Sequence, residues 1–321
     1  MPMKIGNYEL THGLVLAPMA GVTDLPFRTL CKRYGAELTV SEMISAKGVY
    51  YGDKKTAALA ASHESEDIYA VQIFGSDPDI MALAAQKLLS INPKIGIFDI
   101  NMGCPMPKIT GNGEGSALMR SPKLAGEIVK AVKCATIAPV TVKMRIGWDD
   151  NSINAPELAA ICEDNGASAI CVHGRTREQL YRPPVDFETI ARVKRSVSIP
   201  VIANGGIYSA TDALQLLDRT GCDAVAIGQG AMGNPFIFKE LICAYKNTPF
   251  IAPATDEIID LANEHVDLLC AEKGEYIGVR EARKHLGWYI KGMPGAAEAR
   301  RSINAAQTKS ELHDILASLL G

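Results

Sequence analysis

Eight short apolar runs, each followed by a stretch of helical periodicity, limit what this chain can become. The runs are Leu14 to Ala17, Leu38 to Val40, Tyr69 to Phe74, Gly96 to Ile100, Val140 to Met144, Ala169 to Val172, Val201 to Ala203 and Ala224 to Ile227. Helical patterns separate them, among them Asp79 to Leu89, Pro122 to Val132, Ala155 to Asn165, Phe187 to Arg195 and Thr211 to Arg219, several opened by an Asp, Ser or Asn cap. Strands alternating with helices at this spacing must join through βαβ crossovers into a parallel sheet, and eight such units close on themselves. The expected fold class is α/β, a (β/α)8 TIM barrel. Such a barrel needs about 250 residues, and the chain has 321. After Asn247-Thr248-Pro249 and Ala252-Pro253 the alternation stops, and Ile258, Leu261, Ala262 and Leu269 fall on one helical face. Two units are expected, a barrel over residues 1–248 and a small C-terminal helical domain over residues 249–321.

Composition excludes several classes. Hydrophobic residues make up 47% and charged residues 21%, ordinary globular usage, and no run of about 18 apolar residues could cross a bilayer. The first six residues lack the apolar core of a signal peptide, so a cytoplasmic protein without membrane contact is expected. Eight cysteines (31, 104, 134, 162, 171, 222, 243 and 270) form no C-x-x-C pair, which argues against a zinc site and a disulfide framework. No metal is expected, and a monomer is. The net charge of −3 and pI near 6.1 do not suit a chain that coats nucleic acid over its whole surface. Residues 279–309, however, carry +5, leaving −8 elsewhere. Arg280, Arg283, Lys284 and Lys291 recur there at spacings that would line them along one helix face. Such a face is either merely solvated or a contact for nucleic-acid backbone.

The working face of a TIM barrel lies at the carboxyl ends of its strands. There the sequence places Pro18-Met19-Ala20-Gly21, Gln72, Asn101 with Cys104, Lys143 with Arg145, His173 with Arg175, Asn204-Gly205-Gly206 and Gly228-Gln229-Gly230. The last two sets follow the seventh and eighth strands, where such barrels bind phosphate through backbone amides, and they predict a phosphorylated cofactor or substrate. Lys143 and Arg145 alternate with Val142, Met144 and Ile146, so both point to one side of the fifth strand, either the barrel interior or the helix layer. An inward lysine near the mouth suits a place where an anion forms, and the plainer reading is a pair of solvated charges at the strand end. Gln72, between Val71 and Ile73, is a core amide in need of a polar partner. His173 alone reads equally as a core histidine bonded to backbone. Cys104 sits just past the fourth strand, in a turn bounded by Gly103 and Pro105. Most free cysteines are small buried hydrophobes, and the position by itself also suits chemistry.

Taken together, the chain resembles the tRNA-dihydrouridine synthases of bacterial type, FMN-dependent enzymes that reduce uridines of tRNA. The residues that carry the resemblance are Ala17-Pro18-Met19-Ala20-Gly21-Val22-Thr23-Asp24, Asn101-Met102-Gly103-Cys104-Pro105 with Lys108, and Gly113-x-Gly115-Ser116-Ala117-Leu118. Lys143-Met144-Arg145-x-Gly147-Trp148, His173-Gly174-Arg175-Thr176 and Asn204-Gly205-Gly206-Ile207 complete it. The resemblance implies FMN across the barrel mouth, its phosphate on Asn204, Gly205, Gly206, Gly228 and Gln229, its ring against Pro18, Met19, Ala20, Gln72 and Lys143, with His173 beside it. It implies reduction of that flavin by NADPH, then entry of an extruded uridine, hydride transfer from flavin N5 to C6, and a proton from Cys104 to C5. Asn101, Arg145 and Arg175 would meet the substrate uridine or its phosphate. The segment Arg283-Lys284-His285-x-x-Trp288-Tyr289-x-Lys291-Gly292 resembles the family's RNA-binding domain, which makes Arg280, Arg283, Lys284 and Lys291 tRNA contacts.

The sequence departs from the family pattern at Gln229, where an Arg is usual, at Arg182-Pro183-Pro184, and at Phe236, where a Trp is usual. Two rival readings share parts of this pattern. A flavin barrel acting on a free pyrimidine, like dihydroorotate dehydrogenase, would keep the phosphate loops but has no use for a basic appendage. A noncatalytic tRNA-binding factor would keep the appendage but has no use for Cys104.

Overall fold

The amino-terminal residues fold before the barrel begins. In a computed structural model describing residues 2–320, Met3–Ile5 and Tyr8–Leu10 pair as an antiparallel hairpin, turning at Gly6, whose φ of +57° suits glycine. No strand before Leu14 was among the eight runs read from the sequence, so this hairpin is an addition to the expected fold. Met1, part of the amino-terminal stretch expected to lack a signal, lies outside the described residues, as does Gly321.

The eight expected strands are all present, as Leu14–Leu16, Leu38–Val40, Tyr69–Phe74, Ile97–Met102, Val140–Arg145, Ala169–His173, Val201–Asn204 and Ala224–Ile227. Each pairs in parallel with its sequence neighbour, the eighth pairs with the first, and the second pairs with the third, which closes the barrel. A two-residue strand, Ile44–Ser45, extends the pairing along the third. The crossover helices expected from periodicity span Pro78–Ile91, Pro122–Ala135, Ala155–Asp164, Phe187–Ser196 and Ala210–Thr220. Asp77, Asp186 and Ser209 accept backbone N–H bonds at the first, fourth and fifth of these.

Alternation along each strand divides the core. One side packs on the helices through Leu14, Leu16, Val71, Ile73, Phe98, Ile100, Val140 and Val142. The other fills the barrel with Val15, Ala17, Ala70, Ile97, Ala169, Ile202 and Ala224, and Met3, Ile5 and Leu10 of the hairpin join this cluster. Toward the carboxyl ends the inward positions turn polar: Ala70 is followed by Gln72, Ile97 by Asp99 and Asn101, Ala169 by His173, and Ile202 by Asn204.

Four helices follow the barrel, Thr255–Lys273, Glu275–Tyr289, Ala296–Ala305 and Lys309–Ala317, around a separate core that includes Ile259, Val266, Leu286, Ile303 and Leu312. Phe236 belongs to this core, with its ring 4.5 Å from that of Tyr34, so the departure from Trp keeps an aromatic packing position. Lys273 bonds Asp24 and Glu281, each at 2.5 Å, which links the appended helices to the loop after the first barrel strand.

One expectation needs correcting. Lys291 does not share a helix face with Arg280, Arg283 and Lys284, because their helix ends at Tyr289. The spacing continues on paper past a stop signal, Gly292-Met293-Pro294-Gly295, with Gly292 at φ +88°.

Candidate active site

A cavity of about 380 Å³ opens at the carboxyl ends of the strands, within the range of small-ligand sites. Its walls include Pro18, Met19, Ala20, Gln72, Asn101, Cys104, Lys143, Arg145, His173, Arg175, Asn204, Gly205, Gly206, Gly228 and Gln229. Every barrel residue expected to touch cofactor or uridine is therefore gathered in one place. Arg280, Arg283, Lys284 and Lys291 are not among its walls.

Cys104 owes its position to two neighbours. Asn101 Oδ1 accepts the N–H groups of Gly103 and Cys104 at 3.1 and 2.9 Å, which folds the turn back on the end of the fourth strand. On the other side, Ser116 donates to Cys104 O from both its N–H and its hydroxyl, at 3.1 and 2.9 Å. Gly115, at φ +61°, presses so closely that a Cβ there would lie 2.9 Å from Cys104 O and 3.1 Å from Cys104 Cβ. Replacing Gly115 by Ala is expected to cost about 1–3 kcal/mol of stability and to change the rate at which iodoacetamide alkylates Cys104. Melting curves and alkylation time courses check both. The thiol is half-buried, and burial holds it above its ordinary value, against the pull of the Met106 N–H, Arg145 and Lys143. It is thus a protonated donor at neutral pH.

The two charges of the fifth strand divide their work. Lys143 Nζ donates to Asn204 Oδ1 at 3.2 Å, and Asn204 Nδ2 donates to Ala226 O at 2.7 Å, so the ammonium is held against the seventh and eighth strands. Burial lowers its affinity for its proton. Arg145 ties two loops together, donating to Gly103 O at 2.9 Å and to Thr176 O and Leu180 O at 2.9 and 2.8 Å. Its guanidinium lies 5.7 Å from the centre of the Tyr181 ring, which the sequence reading did not single out and which also lines the cavity.

The wall after the seventh and eighth strands is rich in glycine. Gly205 and Gly206 adopt φ +119° and +71°, and a Cβ on Gly205 would lie 2.8 Å from His173 Cδ2, so only glycine fits against the imidazole there. Arg175 Nη1 lies 3.2 Å from His173 Nε2. Arginine only donates, so Nε2 accepts and the ring proton sits on Nδ1. Burial also lowers the His173 pKa well below its ordinary value, and the imidazole is neutral. Arg175 Nε donates to Arg182 O at 2.8 Å, which gives the Arg182-Pro183-Pro184 departure a part in holding this guanidinium. Gln229 Oε1 accepts from the Tyr208 hydroxyl at 2.9 Å, and both side chains line the cavity. Tyr208 was missed because nothing in the sequence ties it to Gln229. Cavity-lining glycines, the Arg175 guanidinium and the neutral Gln229 amide fit a phosphate monoester, and the apolar and amide wall of Met19, Ala20 and Gln72 fits a planar polar ring.

A second cleft lies on the appended helices, lined by Arg283, Lys284, Trp288, Arg300 and Asn304. Arg283 Nη2 donates to Ala306 O at 2.6 Å, and Arg280 covers the Tyr276 ring at 3.6 Å. Arg300, one of the basic residues of the 279–309 segment, joins Arg283 and Lys284 here from the helix Ala296–Ala305.

Comparison with known proteins places this geometry. Among solved structures, histamine dehydrogenase from Rhizobium sp. 4-9 superposes with a TM-score of 0.59 at 13% identity, over 88% of this chain and 50% of its own. Morphinone reductase in complex with tetrahydroNAD gives 0.52 at 14% identity, over 80% of this chain and 93% of its own. These likenesses are of fold, that of the closed (β/α)8 barrel. A family model described as dihydrouridine synthase matches residues 15–320. The chain is 45% identical to tRNA-dihydrouridine synthase B of Vibrio parahaemolyticus over 304 residues, 94% of each chain. It is also 45% identical to the protein of that name from Pseudomonas aeruginosa, over 95% of this chain and 92% of the relative. The chain belongs to the dihydrouridine synthase family. Neither the free-pyrimidine dehydrogenase nor the noncatalytic factor is favoured by these matches.

Proposed function

We propose that this protein is a tRNA-dihydrouridine synthase that reduces the C5–C6 bond of uridine in tRNA, with FMN in the barrel cavity and NADPH as reductant. The observation that carries the reading is a half-buried thiol, Cys104, on the wall of the cavity that also holds Lys143 and the Gly205-Gly206 pair. Bound there, FMN supplies the hydride for uracil C6.

The chain's residues do the rest. Asn204, Gly205, Gly206, Gly228 and Gln229 hold the phosphate end, while Pro18, Met19, Ala20, Gln72 and His173 enclose the ring. Lys143, on the same wall, would place positive charge beside a bound flavin, where it would stabilise negative charge on the reduced ring. Asn101, Arg145 and Arg175 face the uridine. The base must leave its stack to reach this depth, and Cys104 then delivers its proton to C5 as general acid.

The barrel, residues 1–248, is the catalytic unit, and residues 249–321 are the tRNA-binding unit. Arg280, Arg283, Lys284 and Lys291 serve the phosphate backbone, which gives affinity without reading sequence. Neutralising Arg283 and Lys284 together, as Gln, is expected to weaken tRNA binding and to lower the steepness of its salt dependence by about two counterions. FMN content should not change. Filter binding across a salt series and flavin absorbance check the two halves of that statement. Nothing in the cavity requires export, and a cytoplasmic monomer suits a tRNA substrate.

The direct test is to incubate purified, flavin-loaded protein with NADPH and unmodified tRNA and to measure dihydrouridine by mass spectrometry. Absence of the product, from protein that retains flavin and binds tRNA, would refute the proposal.

A further inference from the structure

Beneath the cavity, four buried side chains on three adjacent strands form a continuous chain of hydrogen bonds. Thr141 Oγ1 donates to Asp99 Oδ1 at 2.6 Å, and Gln72 Nε2 donates to Asp99 Oδ2 at 2.6 Å. Asn101 Nδ2 donates to Gln72 Oε1 at 2.7 Å, and Asn101 Oδ1 takes the two N–H bonds of the Cys104 turn. Gln72, Asp99, Asn101 and Thr141 are all buried, and Asp99 does not line the cavity.

We propose that Asp99 is a positioning residue: it sets the direction of the Gln72–Asn101 amide chain, holding the Asn101 carbonyl on the Cys104 turn and leaving N–H donors to face the cavity. A primary amide can sit in its site in either of two orientations, with donor and acceptor exchanged. An ionised carboxylate has no such freedom, because it only accepts. Burial pushes the Asp99 carboxyl up against the pull of the Gln72 and Thr141 donors and of Lys143, and the direction is set while Asp99 is ionised. Gln72 must therefore turn Nε2 toward Asp99, which leaves Oε1 for Asn101 Nδ2. Asn101 is then obliged to turn Oδ1 toward Gly103 and Cys104. Gln72 keeps one hydrogen beyond those bonds, the second hydrogen of Asn101 reaches Met43 Sδ at 3.9 Å, and Gln72, Asn101 and Met43 all line the cavity. Reversing Asn101 would oppose its NH2 group to two backbone N–H groups and release the turn, with several buried groups left unpaired. Thr141 donates to the outer carboxylate oxygen and fixes the anchor itself.

Two isosteric exchanges test this. In Gln72→Glu the new carboxyl can hold its neighbours only while protonated, donating to Asp99 and accepting from Asn101. Once ionised, it opposes Asp99 and the chain breaks. The other titratable groups facing Asp99 are Lys143 and Cys171, which the parent protein also carries. The affinity of Gln72→Glu for FMN, divided by that of the parent, is expected to fall at least about tenfold between about pH 6 and about pH 9. Adding Asp99→Asn gives the new carboxyl an amide donor and gives Thr141 an amide oxygen, so the ratio becomes flat. In flavin-free protein, the Cys104 alkylation rate at the alkaline end should differ from the parent by about fivefold in Gln72→Glu and return to within about twofold in the double variant.

A role in packing alone predicts no rescue, since the side chains keep their shapes. A pH-independent single variant, or a double variant no better than the single one in affinity, alkylation or folded yield, would overturn the assignment. The affinity measurement rests on the flavin reading and the alkylation measurement does not. A parent protein that binds no FMN would therefore count against the flavin, while alkylation still decides the role of Asp99.

Discussion

Cys104→Ala should bind FMN and tRNA like the parent, accept electrons from NADPH at the parent rate, and yet form dihydrouridine about 100- to 10,000-fold more slowly, the range that a positioned general acid contributes. The side chain is small, and its backbone is held by Asn101 and Ser116 independently of the sulfur, so its loss disturbs little else. Flavin absorbance, stopped-flow reduction and single-turnover product formation separate these steps. The sign of the pH effect follows from burial, which raises the thiol pKa. The proton remains available up to and beyond the ordinary thiol value, and the parent rate should decline only above it. Alkylation of the flavin-free protein should rise over the same interval, because the thiolate is the species that reacts. Product formation by the Ala variant at the parent rate would remove Cys104 from the chemistry.

Lys143→Met is expected to slow flavin reduction by NADPH about 100-fold, the scale for losing one preorganised charge in a dry site. Among the described residues the lysine has no carboxylate partner within bonding distance. Its ammonium meets Asn204 Oδ1 at 3.2 Å, and burial already weakens its hold on its proton. A charge kept under those conditions is available to an incoming anion. Lys143→Arg retains the charge on a longer fork and should recover part of the rate, while Lys143→Met should also raise the flavin dissociation constant. Rapid-mixing absorbance measures the first effect and fluorescence titration the second. An unchanged reduction rate in the Met variant would show that the charge serves Asn204 alone.

Much of this arrangement was legible in the sequence, for a reason visible in individual strands. Val140-Thr141-Val142-Lys143-Met144-Arg145 announces by alternation that 141, 143 and 145 share a side, and closure of the barrel turns that side inward. The glycine pairs after the seventh and eighth strands are local signals of the same kind. What stayed hidden depends on contacts between strands. Gln72 read as an amide lacking a partner, although Asp99 lies directly across from it in register, and Asp99 itself drew no attention because its value comes from that register. Tyr208 and Gln229 meet across 21 residues. The hairpin escaped because a charged residue, Lys4 or Glu9, interrupts each of its strands where the barrel strands are continuous apolar runs, and Lys291 was misplaced although the Gly and Pro after Tyr289 were in view.

The amino-terminal hairpin has a kinetic consequence. With Met3, Ile5 and Leu10 packed among the inward apolar residues, the barrel is a cul-de-sac: whatever goes in at the top must come out the same way. A nicotinamide donor and an everted nucleotide would have to queue for one doorway. Under the proposed function an alternating, ping-pong use of that doorway is expected, and steady-state kinetics with both substrates varied would check it.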